Sequence, residues 1–121
     1  MKAKSLLLFG AAIVSAAVAA VVALDTPARA ALRTTTIHIE THNSVFRFSA
    51  KSAPRGVVIF EIHNTSEFRH DFSIDGHTSK LITTGGSTTL RVTFLRKGRY
   101  PWRCTFDHHA SFGERGVFTI T

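Results

Sequence analysis

From Thr34 onward the chain alternates between apolar and polar positions. Ile37 and Ile39 fall on one face of Thr34–His42 and His38, Glu40 and His42 on the other, the period of a half-buried strand. After Asn43-Ser44, Phe46 and Phe48 alternate with Arg47 and Ser49, and Pro54-Arg55-Gly56 supplies turn chemistry. Gly56–His63, GVVIFEIH, is apolar on both faces until Glu61, as in a strand inside a sandwich. Asn64–Arg69 is a polar loop. Alternation resumes over His70–Ile74, where His70, Phe72 and Ile74 share a parity, so His70 faces inward if its neighbours do.

Gly76–Lys80 reads as a connection and Gly85-Gly86 as a turn, and Leu90, Val92 and Phe94 form the inner face of another strand. Lys97-Gly98 turns the chain again. Tyr100, Trp102 and Cys104 then share a parity that aims the thiol inward at a strand end, and Val117–Thr121 closes the chain as a last strand. No part of this stretch has sustained helical periodicity. The pattern predicts an all-β Greek-key sandwich of about seven to eight strands, with Phe46, Phe60, Phe94, Trp102 and Phe118 in its core.

Residues 1–30 read differently. Lys2 and Lys4 precede an apolar run from Leu6 to Leu24, and Ala28-Arg29-Ala30 is an A-x-A cleavage motif, so the segment is an export signal or, uncleaved, an N-terminal anchor. The working domain, 31–121, is exported to a periplasmic or extracellular space and is large enough for one core. Without Lys2, Lys4, Arg29 and Asp25 the formal charge falls from +7 to +5, which favours acidic partners or anionic lipid heads. The cations form no run and interleave with no aromatic ladder, which argues against nucleic acid. Contact with a membrane is expected only if the first segment stays uncut.

Export makes the single cysteine informative. A lone thiol in an oxidising space is buried and inert, paired between chains, or held by a metal. Cys104 is followed by His108 and His109 on a Gly-flanked loop, and His70 heads a core-facing run elsewhere. One thiolate and two imidazoles in a near-trigonal plane, with a weak axial ligand, form the blue-copper arrangement, and zinc also accepts these ligand types. His38, His42, His63 and His77 lie outside the constellation and read as surface histidines.

HDFSI at His70–Ile74, together with YPWRCTFDHHASFGERG, resembles the cupredoxin family of plastocyanin, azurin and rusticyanin over nearly all of 31–121. The resemblance implies one copper per chain, bound by His70, Cys104 and His109, the last through a C-x4-H spacing, with His108 as the alternative. Where the longer-loop family form carries an axial Met, about ten residues after the Cys, this chain has Glu114, and its only Met is Met1. A carboxylate there would favour Cu(II) and pull the site toward tetragonal geometry; otherwise Glu114 is a solvated charge. Nitrosocyanin, a red-copper relative, also uses a glutamate, from another part of its chain. By the same resemblance Asp71 and Thr105 lock the two ligand loops together.

The expected function is electron transfer by an exported monomer, with the His109 ring edge as port, Ala110 and Phe112 as an apolar patch, and an acidic redox partner. Two alternatives stand beside it: a copper carrier delivering metal to an oxidase, and a red-copper site with an open coordination position. No Ser-His-Asp set, phosphate loop or paired carboxylates point to an enzyme, so catalysis could only be copper chemistry at such a position.

Overall fold

The computed structural model describes residues 2–5, 10–21 and 31–121. The cleavage motif Ala28-Arg29-Ala30 and both ends of the apolar run before it lie outside the described residues. Among the described residues no helix is long and apolar enough to cross a membrane.

Among the described residues nine strands follow in order: β1 (Arg33–His42), β2 (Val45–Phe48), β3 (Ser52–Ala53), β4 (Gly56–Asn64), β5 (Ser73–Ile74), β6 (His77–Thr78), β7 (Ser87–Phe94), β8 (Gly98–Arg103) and β9 (Arg115–Ile120). They build a four-stranded sheet, β2-β1-β4-β7, and a five-stranded sheet, β3-β9-β8-β5-β6. β1 and β4 run parallel, so one end of this sheet gathers Arg33, Gly56 and Phe94 and the other Thr41, Asn64 and the start of β7. The metal candidates lie at the second end.

The core is the inner face of both sheets. Ile37, Ile39, Phe60, Ile62, Val92 and Phe94 from one meet Ile74, Trp102, Phe118 and Ile120 from the other, and Phe72 fills the gap between them. Aromatic rings dominate: Phe72 contacts Phe46, Phe48, Phe60 and Trp102 at 5.0 to 6.5 Å between centroids. Each buried phenylalanine contributes about 1.5–3 kcal/mol of apolar transfer, which is how so short a chain sustains a core.

The architecture is the expected sandwich, with three of the nine strands only two residues long. One of these, β6, lies in the stretch read as a connection. The run His70–Ile74 departs further: only Ser73–Ile74 is strand, and His70 makes an isolated bridge with Ile82. The backbone between them has other partners. The Asp71 N–H points at Cys104 Sγ, the Phe72 N–H donates to Ser79 Oγ, and the Phe72 carbonyl accepts from the Ser79 N–H. Parity survives the interruption, since His70, Phe72 and Ile74 are all buried.

Candidate metal centre

Cys104 is the first residue beyond β8. The β8–β9 ladder pairs Trp102 with Gly116 and Arg103 with Arg115, and the Cys104 N–H continues it by donating to the Glu114 carbonyl at 3.0 Å. Cys104 and Glu114 are therefore cross-strand partners on the inward face, which sets the carboxylate beside the thiol. Gly116 is required one step along the same face, because a Cβ there would lie 2.8 Å from the Trp102 indole.

The loop between the two strands turns back through Asp107 and His108, both left-handed at φ 43° and 58°, into a 3-10 turn over His109–Phe112. Its reversal brings the His109 ring inward and leaves His108 exposed. His70 is held from the other side of the pole. Asn64, buried at the end of β4, donates to the Phe68 and Ile82 carbonyls and accepts from Thr41 Oγ1 and the Ser66 N–H. Ser66 Oγ lies 3.0 Å from His70 Nε2 and fixes the ring so that Nδ1 faces the thiol and carboxylate. Asn64 and Ser66 were missed in the sequence, where their only signal was a polar pair at the end of an apolar strand.

The result is one compact donor set. One donor atom from each of His70, Cys104, His109 and Glu114 lies within 4.8 Å of all the others. His70 Nδ1 is 2.7 Å from Glu114 Oε1, His109 Nδ1 is 3.0 Å from Glu114 Oε2, and His109 Nδ1 is 3.8 Å from Cys104 Sγ. His70, Cys104 and Glu114 are about 1% exposed and the His109 side chain 14%.

His70 Nδ1 and Glu114 Oε1 face each other in this interior, yet neither has a hydrogen-bond partner of good alignment. Unsatisfied buried polar atoms are costly, and a cation between them satisfies both. Ligands at about 2.0–2.3 Å from one ion stand roughly 3–4 Å from one another; the donors here lie between 2.7 Å and 4.8 Å apart, so an ion would be held after a small widening of the His70–Glu114 pair. The residues present thus fit a thiolate- and imidazole-binding metal.

Electrostatics agree. Burial, with a smaller effect from nearby His109, lowers the His70 pKa to about 4, so its ring is neutral and able to ligate. Burial pushes the Cys104 thiol up to about 11, against the pull of N–H groups from Asp71 and Phe106, and raises Glu114 to about 7 with Asp71 adding to the effect.

Asp71 clamps the two ligand loops. Its carboxylate accepts from both the Thr105 N–H and the Thr105 hydroxyl, while its own N–H points at the sulfur at 3.5 Å. Phenylalanines line the rim: Phe46 meets His70 edge-on at 5.6 Å, Phe106 and Phe68 meet His109 at 5.4 and 6.3 Å, and Arg69 stacks over Phe106. His38, His42, His63 and His77 are all exposed and apart from this set; His38 pairs with Glu61 and His63 with Ser87.

A model of the cupredoxin-like domain matches residues 13–120. No curated protein matches the chain by sequence. Among solved structures, auracyanin of Roseiflexus castenholzii superposes with a TM-score of 0.64 at 22% identity, covering 72% of this chain and 97% of its own. Auracyanin A of Chloroflexus aurantiacus, a "blue" copper protein, gives 0.59 at 14% identity over 74% of this chain and 100% of its own. A purple cupredoxin from Nitrosopumilus maritimus gives 0.50 at 19% over 72% and 99%.

Proposed function

The chain belongs to the cupredoxin-like domain family, and from that premise we propose an exported electron-transfer protein that would hold one copper ion through His70, Cys104 and His109, with the Glu114 carboxylate as a fourth ligand. The observation that carries the reading is the convergence of these four donors on one buried centre, where His70 Nδ1 and Glu114 Oε1 have no well-aligned hydrogen-bond partner.

Copper held by a thiolate and two imidazoles exchanges one electron with little change of geometry. The surrounding residues serve that economy. Ser66 and the Asn64 knot orient His70, the Asp71–Thr105 clamp fixes the loop that carries the thiol, and Phe46 and Phe106 pack edge-on against the two imidazoles. His109, more exposed than the other three, is the port, and Phe112 and Phe68 stand exposed in the same part of the surface. Arg103 and Arg115 face each other directly across the ladder, and among the described residues neither lies within 4.0 Å of a carboxylate. Opposed like charges destabilise a sheet, and an acidic partner would relieve them.

Burial of three donors favours retention of the ion over its delivery. The test is titration of the metal-free protein with Cu(II), followed by visible and electron paramagnetic resonance spectra. One equivalent should produce an intense sulfur-to-copper band that Cys104→Ser abolishes, and a chelator should remove the ion only slowly. Zinc uptake without such a band, or rapid loss to the chelator, would defeat the redox reading. Export is checked by fractionating cells and sequencing the N-terminus of the recovered protein, where Ala31 marks a cut signal and Met1 a retained anchor.

One observation favours a second reading. A cavity of about 230 Å³, bordered by Asn43, Phe68, Asp107 and Phe112, reaches His70, His109 and Glu114 and would admit a small exogenous ligand. Azide added to the copper-loaded protein would shift its spectrum if a coordination position is open and leave it unchanged if the site is closed.

A further inference from the structure

We infer that the pole opposite the metal centre is a docking surface for a bilayer bearing anionic headgroups, seating the domain with its metal site facing away from the membrane. The inference does not depend on which metal is bound.

Five cations converge there from three stretches of the chain. Arg33 opens β1 beside Gly56, and Arg55 precedes β4 with its N–H on the Thr121 carbonyl. Arg96 and Lys97 lie in the β7–β8 connection, which the Tyr100 hydroxyl braces by donating to the Arg96 carbonyl, and Arg99 follows at the start of β8. All five are exposed, and among the described residues none lies within 4.0 Å of a carboxylate. The acidic residues of 31–121 are Glu40, Glu61, Glu67, Asp71, Asp75, Asp107 and Glu114, and none falls in the segments that build this pole.

Two apolar side chains stand among the cations, Leu32 at 50% and Leu95 at 67% exposure. With Arg33, Arg55 and Lys97 they border a groove of about 430 Å³. Leucines ringed by guanidinium and ammonium groups match the layered chemistry of a membrane surface, phosphates outside and acyl chains beneath.

A second observation selects a membrane over a soluble acidic protein. The chain enters the fold at this groove, through Ala31, and the apolar run Leu6–Leu24 ends a short linker upstream. Any bilayer holding that run brings this pole to its surface. Each Lys or Arg near anionic lipid multiplies binding about fivefold. The metal centre, about 20 Å away along β8 from Gly98 to Cys104, lies beyond the screening length and remains free for a partner.

Among the described residues both sheets and the buried core lie within 33–120, so residues 31–121 carry the sandwich and allow a test without the apolar run. The experiment is cosedimentation of this chain with phosphatidylcholine vesicles, with or without about one third phosphatidylglycerol. Binding is expected to the anionic vesicles alone and to weaken with salt. The double variant Arg55→Glu/Lys97→Glu should lose at least tenfold, whereas Arg69→Glu/Arg103→Glu, at the metal pole, should lose less than twofold. A Leu95→Trp variant should show a blue-shifted emission on binding. No binding at low salt, equal losses from the two double variants, an unshifted emission from the Leu95→Trp variant, or capture by a soluble polyanion but not by vesicles would each overturn the proposal.

Discussion

Cys104 and Glu114 are opposite one another on the β8–β9 hairpin, joined by a 3.0 Å bond from the cysteine N–H to the glutamate carbonyl, with both side chains turned inward. The separation of thiol and carboxylate is thus set by sheet geometry, and any residue at this position must present its side chain to the sulfur. That relationship makes the axial position testable by substitution.

Replacing Glu114 with Met removes an anionic hard oxygen and supplies a soft neutral sulfur from the same backbone position. Glu114→Met should raise the reduction potential, strengthen the blue absorption band, and move the paramagnetic signal toward axial symmetry. An unchanged potential and spectrum would exclude the carboxylate as a ligand.

Proton release on metal uptake should depend on pH through the same residue. The thiol, pushed up to about 11, must give up its proton at any ordinary pH, whereas Glu114, raised to about 7, gives one up at pH 6 but hardly at pH 8.5. Calorimetry in buffers of different ionisation enthalpy should therefore find fewer protons released per copper at the higher pH, and the difference should shrink in Glu114→Gln.

Metal-free stability follows from the sign of that shift. A carboxyl whose folded pKa lies above its unfolded value contributes stability that is full below about 4.5 and lost as pH rises through about 7. His70, lowered to about 4, runs the other way, contributing above 6.5 and failing as pH falls through 4. Urea melts should show metal-free Glu114→Gln gaining on the parent between pH 5 and 8, by at most about 3 kcal/mol and less for the lost contact with His109.

Asn64→Ala strands the Phe68 carbonyl, the Ser66 N–H and the Thr41 hydroxyl in or near the interior, and leaves the Ile82 carbonyl with the His70 N–H alone. The expected cost is about 2–4 kcal/mol in denaturant melts. Because the same knot holds the His70 loop, copper affinity should fall as well, which a merely local loss of stability would not produce.

Gly116→Ala would set a methyl group 2.8 Å from the Trp102 indole, so the ring must shift. Overpacking of this kind costs about 1–3 kcal/mol. The displaced indole stacks on Phe46 at 5.1 Å, and Phe46 touches the His70 ring, so the spectrum of the loaded protein should change along with its melting temperature.

Much of this was readable from spacing. Period-two alternation located most of the long strands, and the shared parity of Tyr100, Trp102 and Cys104 aimed the thiol inward because side-chain direction in a strand is fixed locally. The expected strand at His70–Ile74 shrank to Ser73–Ile74, since side chains and a sulfur took the backbone bonds that a neighbouring strand would have used. Glu114 could be picked out by counting from Cys104, but its cause, a hairpin register continued past the last ladder pair, is a property of two strands together. The basic pole was invisible for the same reason: Arg33, Arg55 and the Arg96–Arg99 segment are scattered in the chain and meet only when the sheets close.

Phe46 lies edge-on to His70, stacks on Trp102 and thereby reaches Gly116, two residues from Glu114. The rings that keep the sandwich folded are the rings that steady its donors. Altering those aromatics for thermal resistance would move the His70 ring at the same stroke, so durability and the placement of the donors change together.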